Sequence, residues 1–159
     1  MATLSTFTKD NLNKQGFGNL NDEAKSRYSL PLRFTPAVAV ILLVIGLVLR
    51  SPIWLGAMSL VALSGALFPR WMILDLVYNL VVRHLFHAPA LPATPTPRRF
   101  SYILSTVLLA ASALSFQFGW TVLGLILGGI VAIGATILAT SLWCLGSWYY
   151  RLIFKHAAA

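Results

Sequence analysis

Apolar and polar positions fall in blocks rather than alternating. After about 33 residues of mixed polarity come two apolar stretches, Phe34 to Leu49 and Pro52 to about Phe68, parted by Arg50-Ser51-Pro52. A charge followed by a proline marks a helix boundary, so the pattern predicts two helices and a turn. At 1.5 Å per residue each is about 24–26 Å long, close to the shortest length that crosses a hydrocarbon layer. One continuous helix would leave Arg50 and Pro52 at mid-membrane. A third, less apolar helical stretch runs from Trp71 to His87, and the proline-rich APALPATPTP that follows it is predicted to be extended. Two more apolar helices are expected, from about Phe100 to Phe118 and, after Gly119, from Trp120 to Tyr150.

These blocks predict an all-α integral membrane protein, a four-helix bundle of two repeated helical hairpins with a cytosolic interfacial helix between them. Residues 1–33 form a polar cytosolic tail, 34–68 the first transmembrane hairpin, and 69–99 the interfacial helix and Pro-rich linker. Residues 100–150 form the second transmembrane hairpin and 151–159 a cytosolic tail. Within the first tail, Asn21 with Asp22 and Glu23 is placed to cap a short helix through about Tyr28, which Pro31 then interrupts.

The duplication rests on spacing. Arg33-Phe34 and Trp54 recur as Arg99-Phe100 and Trp120, an offset of 66 residues in both cases (99 against 33, 120 against 54). Because both hairpins begin on the same side, the halves are parallel repeats about an axis along the membrane normal. Lys and Arg set the orientation. The first tail holds Lys9, Lys14, Lys25, Arg27 and Arg33, the middle segment Arg70, Arg83, Arg98 and Arg99, and the end Arg151 and Lys155; the opposite side has Arg50 alone. Eleven against one predicts both termini in the cytosol of a multi-pass protein of the inner, cytoplasmic membrane.

Composition agrees. The chain is 58% hydrophobic and 10% charged, with a mean hydropathy of +0.78. The net charge of +8 follows from topology and anionic lipid headgroups. Its basic residues flank apolar segments instead of clustering, so no nucleic acid is expected. The first apolar run begins too far from the start for a cleaved signal, and Cys144, the one cysteine, allows no intrachain disulfide.

In the middle stretch Asp75, Asn79, Arg83 and His87 recur every fourth residue and form one ridge on a helix. With Trp71 and several Leu, Val and Phe beside it, the segment reads as a helix lying in the membrane interface. A sharper reading makes His84 and His87 ligands of a haem, metal or pigment, but two histidines supply at most half a tetrahedral metal site. No metal site and no resident cofactor are predicted; bound lipid, quinone or pigment has room in such a bundle.

Catalytic chemistry is sparse. Phe100 to Tyr150 contains no Asp, Glu, Lys, Arg or His, and after Glu23 the only carboxylate is Asp75. A paired-carboxylate mechanism therefore has nothing to work with, and an enzyme is not expected. The last apolar helix instead carries small residues, Gly124, Gly128, Ala132, Ala135 and Ala139, whose spacing lets another helix approach closely.

The stretches RFTPAVAVILLVIGLVLRSPIWLGA, RRFSYILSTVLLAASALSFQFGWTVLGLI and WCLGSWYY resemble a family of small bacterial four-helix membrane proteins, domain-of-unknown-function family 4395. The resemblance spans about Leu30 to Tyr150. In that family the last motif is often C-x-G-C, which implies a thiol pair; here it reads Cys144-Leu145-Gly146-Ser147, so dithiol exchange is in doubt.

The expected function is a non-catalytic accessory or scaffold subunit that stabilises a larger membrane complex, such as an electron-transfer or photosynthetic assembly. Its partners are membrane lipids and other integral subunits, met through helix four and the N-terminal tail. The alternatives are a small transporter or channel for an uncharged solute, and a membrane thiol-redox helper using Cys144.

Overall fold

The computed structural model describes residues 4–157, with side chains through Phe154; the side chain of Lys155 and the extreme ends of both tails lie outside the described residues. The described chain is all helix and connection. α1 (Thr6–Leu12) leads through a kinked turn at Asn13–Phe17, where Gly16 takes φ 100°, into α2 (Asp22–Val48), followed by α3 (Pro52–Leu67). The middle segment is a short helix in two parts, α4 (Ile73–Val77) and α5 (Arg83–Phe86), joined by a π-helical turn at Tyr78–Val82. Then come α6 (Thr96–Gln117), α7 (Thr121–Ser141) and α8 (Leu145–Ala157).

Three helices, α2, α6 and α7, are long and apolar enough to cross a membrane, and the chain is read as a multi-pass membrane protein. α3 is apolar but shorter, at 16 residues. It packs along α6, while α2 packs along α7 and α6 against α7; α2 and α3 touch little beyond their turn. Leu43, Leu55, Leu109 and Val131 meet in the central core. Leu43 and Leu109 stand at the offset of 66 seen in the sequence (109 against 43), and both are almost wholly buried.

The turns explain where the helices stop. Ser51 accepts from the Trp54 N–H, Pro52 occupies the first helical turn, and Arg50 adopts a left-handed conformation at φ 49°. Trp54 folds back so that its Nε1–H donates to the Leu42 carbonyl at 2.8 Å. That position needs Gly46, since a Cβ there would lie 2.4 Å from the Trp54 ring. At the second turn Gly119 takes φ 79°, a conformation that suits glycine.

Several boundaries differ from the sequence reading. Asn21 does cap a helix, accepting from the Ala24 N–H at 2.9 Å, but that helix does not end near Tyr28. It runs through Pro31 and Pro36 to Val48, because a proline forfeits only local hydrogen bonds and neighbouring turns keep theirs in a packed span. α6 begins within the proline-rich segment, where Pro97 fits a first turn whose N–H groups lack helical partners. The last span stops at Ser141, not Tyr150: Leu142 turns left-handed at φ 53°, and a separate helix, α8, begins at Leu145.

The N-terminal segment is also not a free tail. Asn11 Nδ2 donates to the Ser141 carbonyl at 3.0 Å, and Gln15 Nε2 to that of Leu142. Both are acceptors that a helix C-terminus leaves open. Leu12 and Phe17 pack with Leu32 and Leu142 into a second small core. Lys9 pairs with Asp22 at 2.7 Å, closing the segment onto the head of α2.

Candidate functional site

The molecule has two ends, one at the turns 49–51 and 118–120, the other where α1, α4, α8 and most arginines gather. At this basic end the first turn of α6 carries Arg98 and Arg99, which go opposite ways. Arg99 Nε donates to the Ala66 carbonyl at 2.9 Å, completing the open end of α3. Arg98 turns inward and is only 4% exposed.

Around Arg98 the fold collects groups from four parts of the chain. Tyr102 lies one turn along α6, Asp75 comes from α4, and Cys144 from the break between α7 and α8; all three are within electrostatic reach of the guanidinium. Thr35 on α2 donates its hydroxyl to Asp75 Oδ1. Asp75 is not within ion-pair distance of Arg98: among the described residues the ion pairs are Lys9 with Asp22 and Lys14 with Asp10. Arg98 and Tyr102 lie within reach of each other, yet Arg98 Nε and the Tyr102 hydroxyl are both buried without a well-formed hydrogen bond. Such groups are uncommon, because a buried donor left unpaired costs about 1–3 kcal/mol, more when charged.

Thr35, Arg98, Tyr102 and Cys144 line one end of a cavity of about 110 Å³. Its remaining wall is mostly apolar, built from Leu43 and Ala39 of α2, Met58 and Ala62 of α3, Leu108 and Leu109 of α6, and Val131, Ala135 and Leu138 of α7, with Ser101 and Ser105 of α6 the polar exceptions. The Thr35–Asp75 bond stands between this cavity and a surface recess lined by Arg70, Asp75, Asn79 and Leu91. An apolar chamber with convergent polar groups at one end is the usual form of a small-molecule site.

The ridge Asp75, Asn79, Arg83 and His87 is dispersed by the fold. Asp75 faces inward to Thr35 rather than bonding Asn79, and Asn79 Oδ1 accepts from the Leu91 N–H at 2.9 Å. Arg83 is half-buried, and His87 is a left-handed residue that ends α5 at φ 50°, so it leaves the helical ridge. The outward side of α4–α5 is apolar, with Trp71, Val77, Leu80, Leu85 and Phe86 exposed. Beside it Tyr78 is buried against Phe34, and burial pushes its phenol above the ordinary range, keeping it neutral. His84 and His87 are both exposed, and no group of three or more His, Cys, Asp or Glu gathers among the described residues.

The small residues of α7 face inward. A Cβ on Gly124 would lie 2.9 Å from the Phe116 ring, and one on Gly128 would lie 2.5 Å from Leu47 Cδ2. Ala132 is in the core, Ala135 lines the cavity, and Ala139 is half-buried. The face expected to receive a neighbouring subunit is therefore filled by this chain's own α2 and α6, and the N-terminal tail by its seat on α7. Sequence reasoning placed Arg98 among the charges that set orientation and overlooked its partners. The available signal was the doubled Arg98-Arg99 at the head of a span, where the first repeat has Arg33 alone.

The family described as Domain of unknown function (DUF4395) matches residues 30–155, and the chain belongs to that family. Comparison with curated proteins and with solved structures gives no match.

Proposed function

We propose that this protein is a non-catalytic binding protein of the cytoplasmic membrane that holds a small amphiphile between its helices. The head would sit at the basic end and the tail among the apolar walls. One observation carries the reading: Arg98 Nε and the Tyr102 hydroxyl, buried and without a well-formed hydrogen bond, lie at one end of a largely apolar cavity. Arg33 Nε and Ser147 Oγ are also buried without partners, but neither lines this cavity, so Arg98 and Tyr102 are the donors left for a visitor. The excess of Lys and Arg at this end argues that it faces the cytosol. The pairing of α3 with α6 and of α2 with α7 supports two related hairpins, since a two-fold axis exchanges those pairs. The test is to purify the protein in mild detergent, extract it with organic solvent and identify what is released by mass spectrometry. A stoichiometric amphiphile is expected. An empty extract, together with no displaceable binding of added amphiphiles, would remove the reading.

A second reading keeps the accessory or scaffold subunit of a larger membrane complex, electron-transfer or photosynthetic, but through other surfaces. Gly56 on α3 and Gly129 on α7 have nothing within 4 Å of where a Cβ would be, leaving places for another helix to come close. Co-purification of a second integral protein that Gly129→Leu abolishes would support it; a lone monomer in every mild detergent would not. Transport of an uncharged solute fits less well with a charged cavity end, and thiol exchange lacks a second sulfur, Ser147 standing where it is needed.

A further inference from the structure

We propose that the head group of the amphiphile is a monoanionic carboxylate seated against Arg98 and Tyr102, so that the ligand class is long-chain carboxylic acids. This rests on the amphiphile-binding reading above and adds the chemistry of the head and the path of the tail.

The head follows from charge and donor geometry. Arg98 is buried without a carboxylate at ion-pair distance. Asp75, the one acid nearby, already accepts from Thr35 and shares the surface recess with Arg70. Two arginines thus stand against one carboxylate, and the missing charge is a single negative one on the cavity side. A neutral carbonyl would satisfy the open Nε–H and O–H but leave the guanidinium uncompensated in a low-dielectric setting. A phosphate monoester brings more charge than one arginine balances, and a phosphodiester carries a second substituent on the head for which a cavity of about 110 Å³ has little room. A carboxylate offers two coplanar oxygens, which match the planar fork of a guanidinium, with the Tyr102 hydroxyl as an additional donor.

The tail follows from size and exposure. A cavity of roughly 150 Å³ holds one benzene ring, so about 110 Å³ accommodates a head and the first carbons only. Leu104 and Ile130 line the cavity and are also exposed on the outside, at 36% and 45%. The chamber therefore opens sideways between α6 and α7, and a longer chain continues there into the lipid. Gly134 also lines the cavity, and nothing lies within 4 Å of the position its Cβ would take. Because Gly134 borders the chamber, Gly134→Leu is the variant expected to crowd it.

The experiment titrates purified protein with a naturally fluorescent long-chain polyene carboxylic acid, with its methyl ester, and with an alkyl phosphate of equal length. Wild type is expected to bind the acid at least about tenfold more tightly than the ester, as a hydrogen-bonded charge pair contributes. Arg98→Gln should weaken the acid far more than the ester, bringing the two to similar affinity. Tyr102→Phe, which removes one oxygen, should weaken the acid about threefold or more. Gly134→Leu should weaken acid and ester alike. Equal binding of acid and ester, tighter binding of the phosphate, or an Arg98→Gln protein that keeps full affinity for the acid would each overturn the carboxylate assignment while leaving amphiphile binding in place. If no probe binds wild type, the assignment and the proposed function fall together.

Discussion

The turn end and the basic end of the bundle are built from the same kinds of helix, yet they treat their polar groups differently. At the turn end each buried donor has an acceptor within the chain. Ser112, wholly buried, bonds the Gly124 carbonyl at 2.7 Å, and even the exposed Trp54 donates its Nε1–H to the Leu42 carbonyl. Glycines there bring helices into contact with rings and leucines. At the basic end lie all five buried polar atoms without partners among the described residues: Gln15 Oε1, Arg33 Nε, Arg98 Nε, the Tyr102 hydroxyl and Ser147 Oγ. The difference separates stability from use. One end closes on itself, while the other is left open where a second molecule can complete it.

Substitutions at the two ends should sharpen or break this contrast, and thermal unfolding in one detergent reads all of them. The largest effect is expected for Gly128→Leu, which drives a side chain into Leu47 and Ser112 and should cost about 3 kcal/mol by overpacking. Leu109→Ala, in the central core, should cost about 2 kcal/mol, near the low end for such truncations because lipid solvates apolar groups as well as protein does. Arg98→Met is expected to change sign: ligand-free protein should gain about 1 kcal/mol, since a buried unpaired charge is replaced by an apolar side chain of similar reach. A loss of stability there would mean that the basic end is as self-sufficient as the other. The smallest effect is a loss of about 0.6–1 kcal/mol for Ser112→Ala, one interhelical hydrogen bond in a membrane setting.

Much of the scaffold was legible because a hydrocarbon solvent imposes a coarse rule. Runs of apolar residues of sufficient length must be helices, so the spans, the Arg50-Ser51-Pro52 turn and the Asn21 cap could be read directly. Prolines misled. Pro31 was taken as a stop, although a span packed on its neighbours tolerates the missing bond, and the break that does occur is at Leu142, where no proline stands. The ridge from Asp75 to His87 failed for another reason. A four-residue period says that side chains share a face of a helix but not which way that face looks, and here it turned Asp75 towards Thr35. The site itself was least legible. Thr35, Asp75, Arg98, Tyr102 and Cys144 come from distant stretches of chain, and only the packing of α2, α4 and α6 with the α7–α8 break brings them together.

The docking of the first segment has a consequence for biosynthesis. Asn11 bonds a carbonyl 130 residues further along the chain, on a helix that must be threaded into the bilayer before that acceptor exists. At roughly 5–20 residues per second of synthesis, the segment around Asn11 waits on the order of ten seconds for its seat. The α1 segment is thus the final latch of the fold, and a bulky group attached to α1 should hinder that last closure more than one attached to α8.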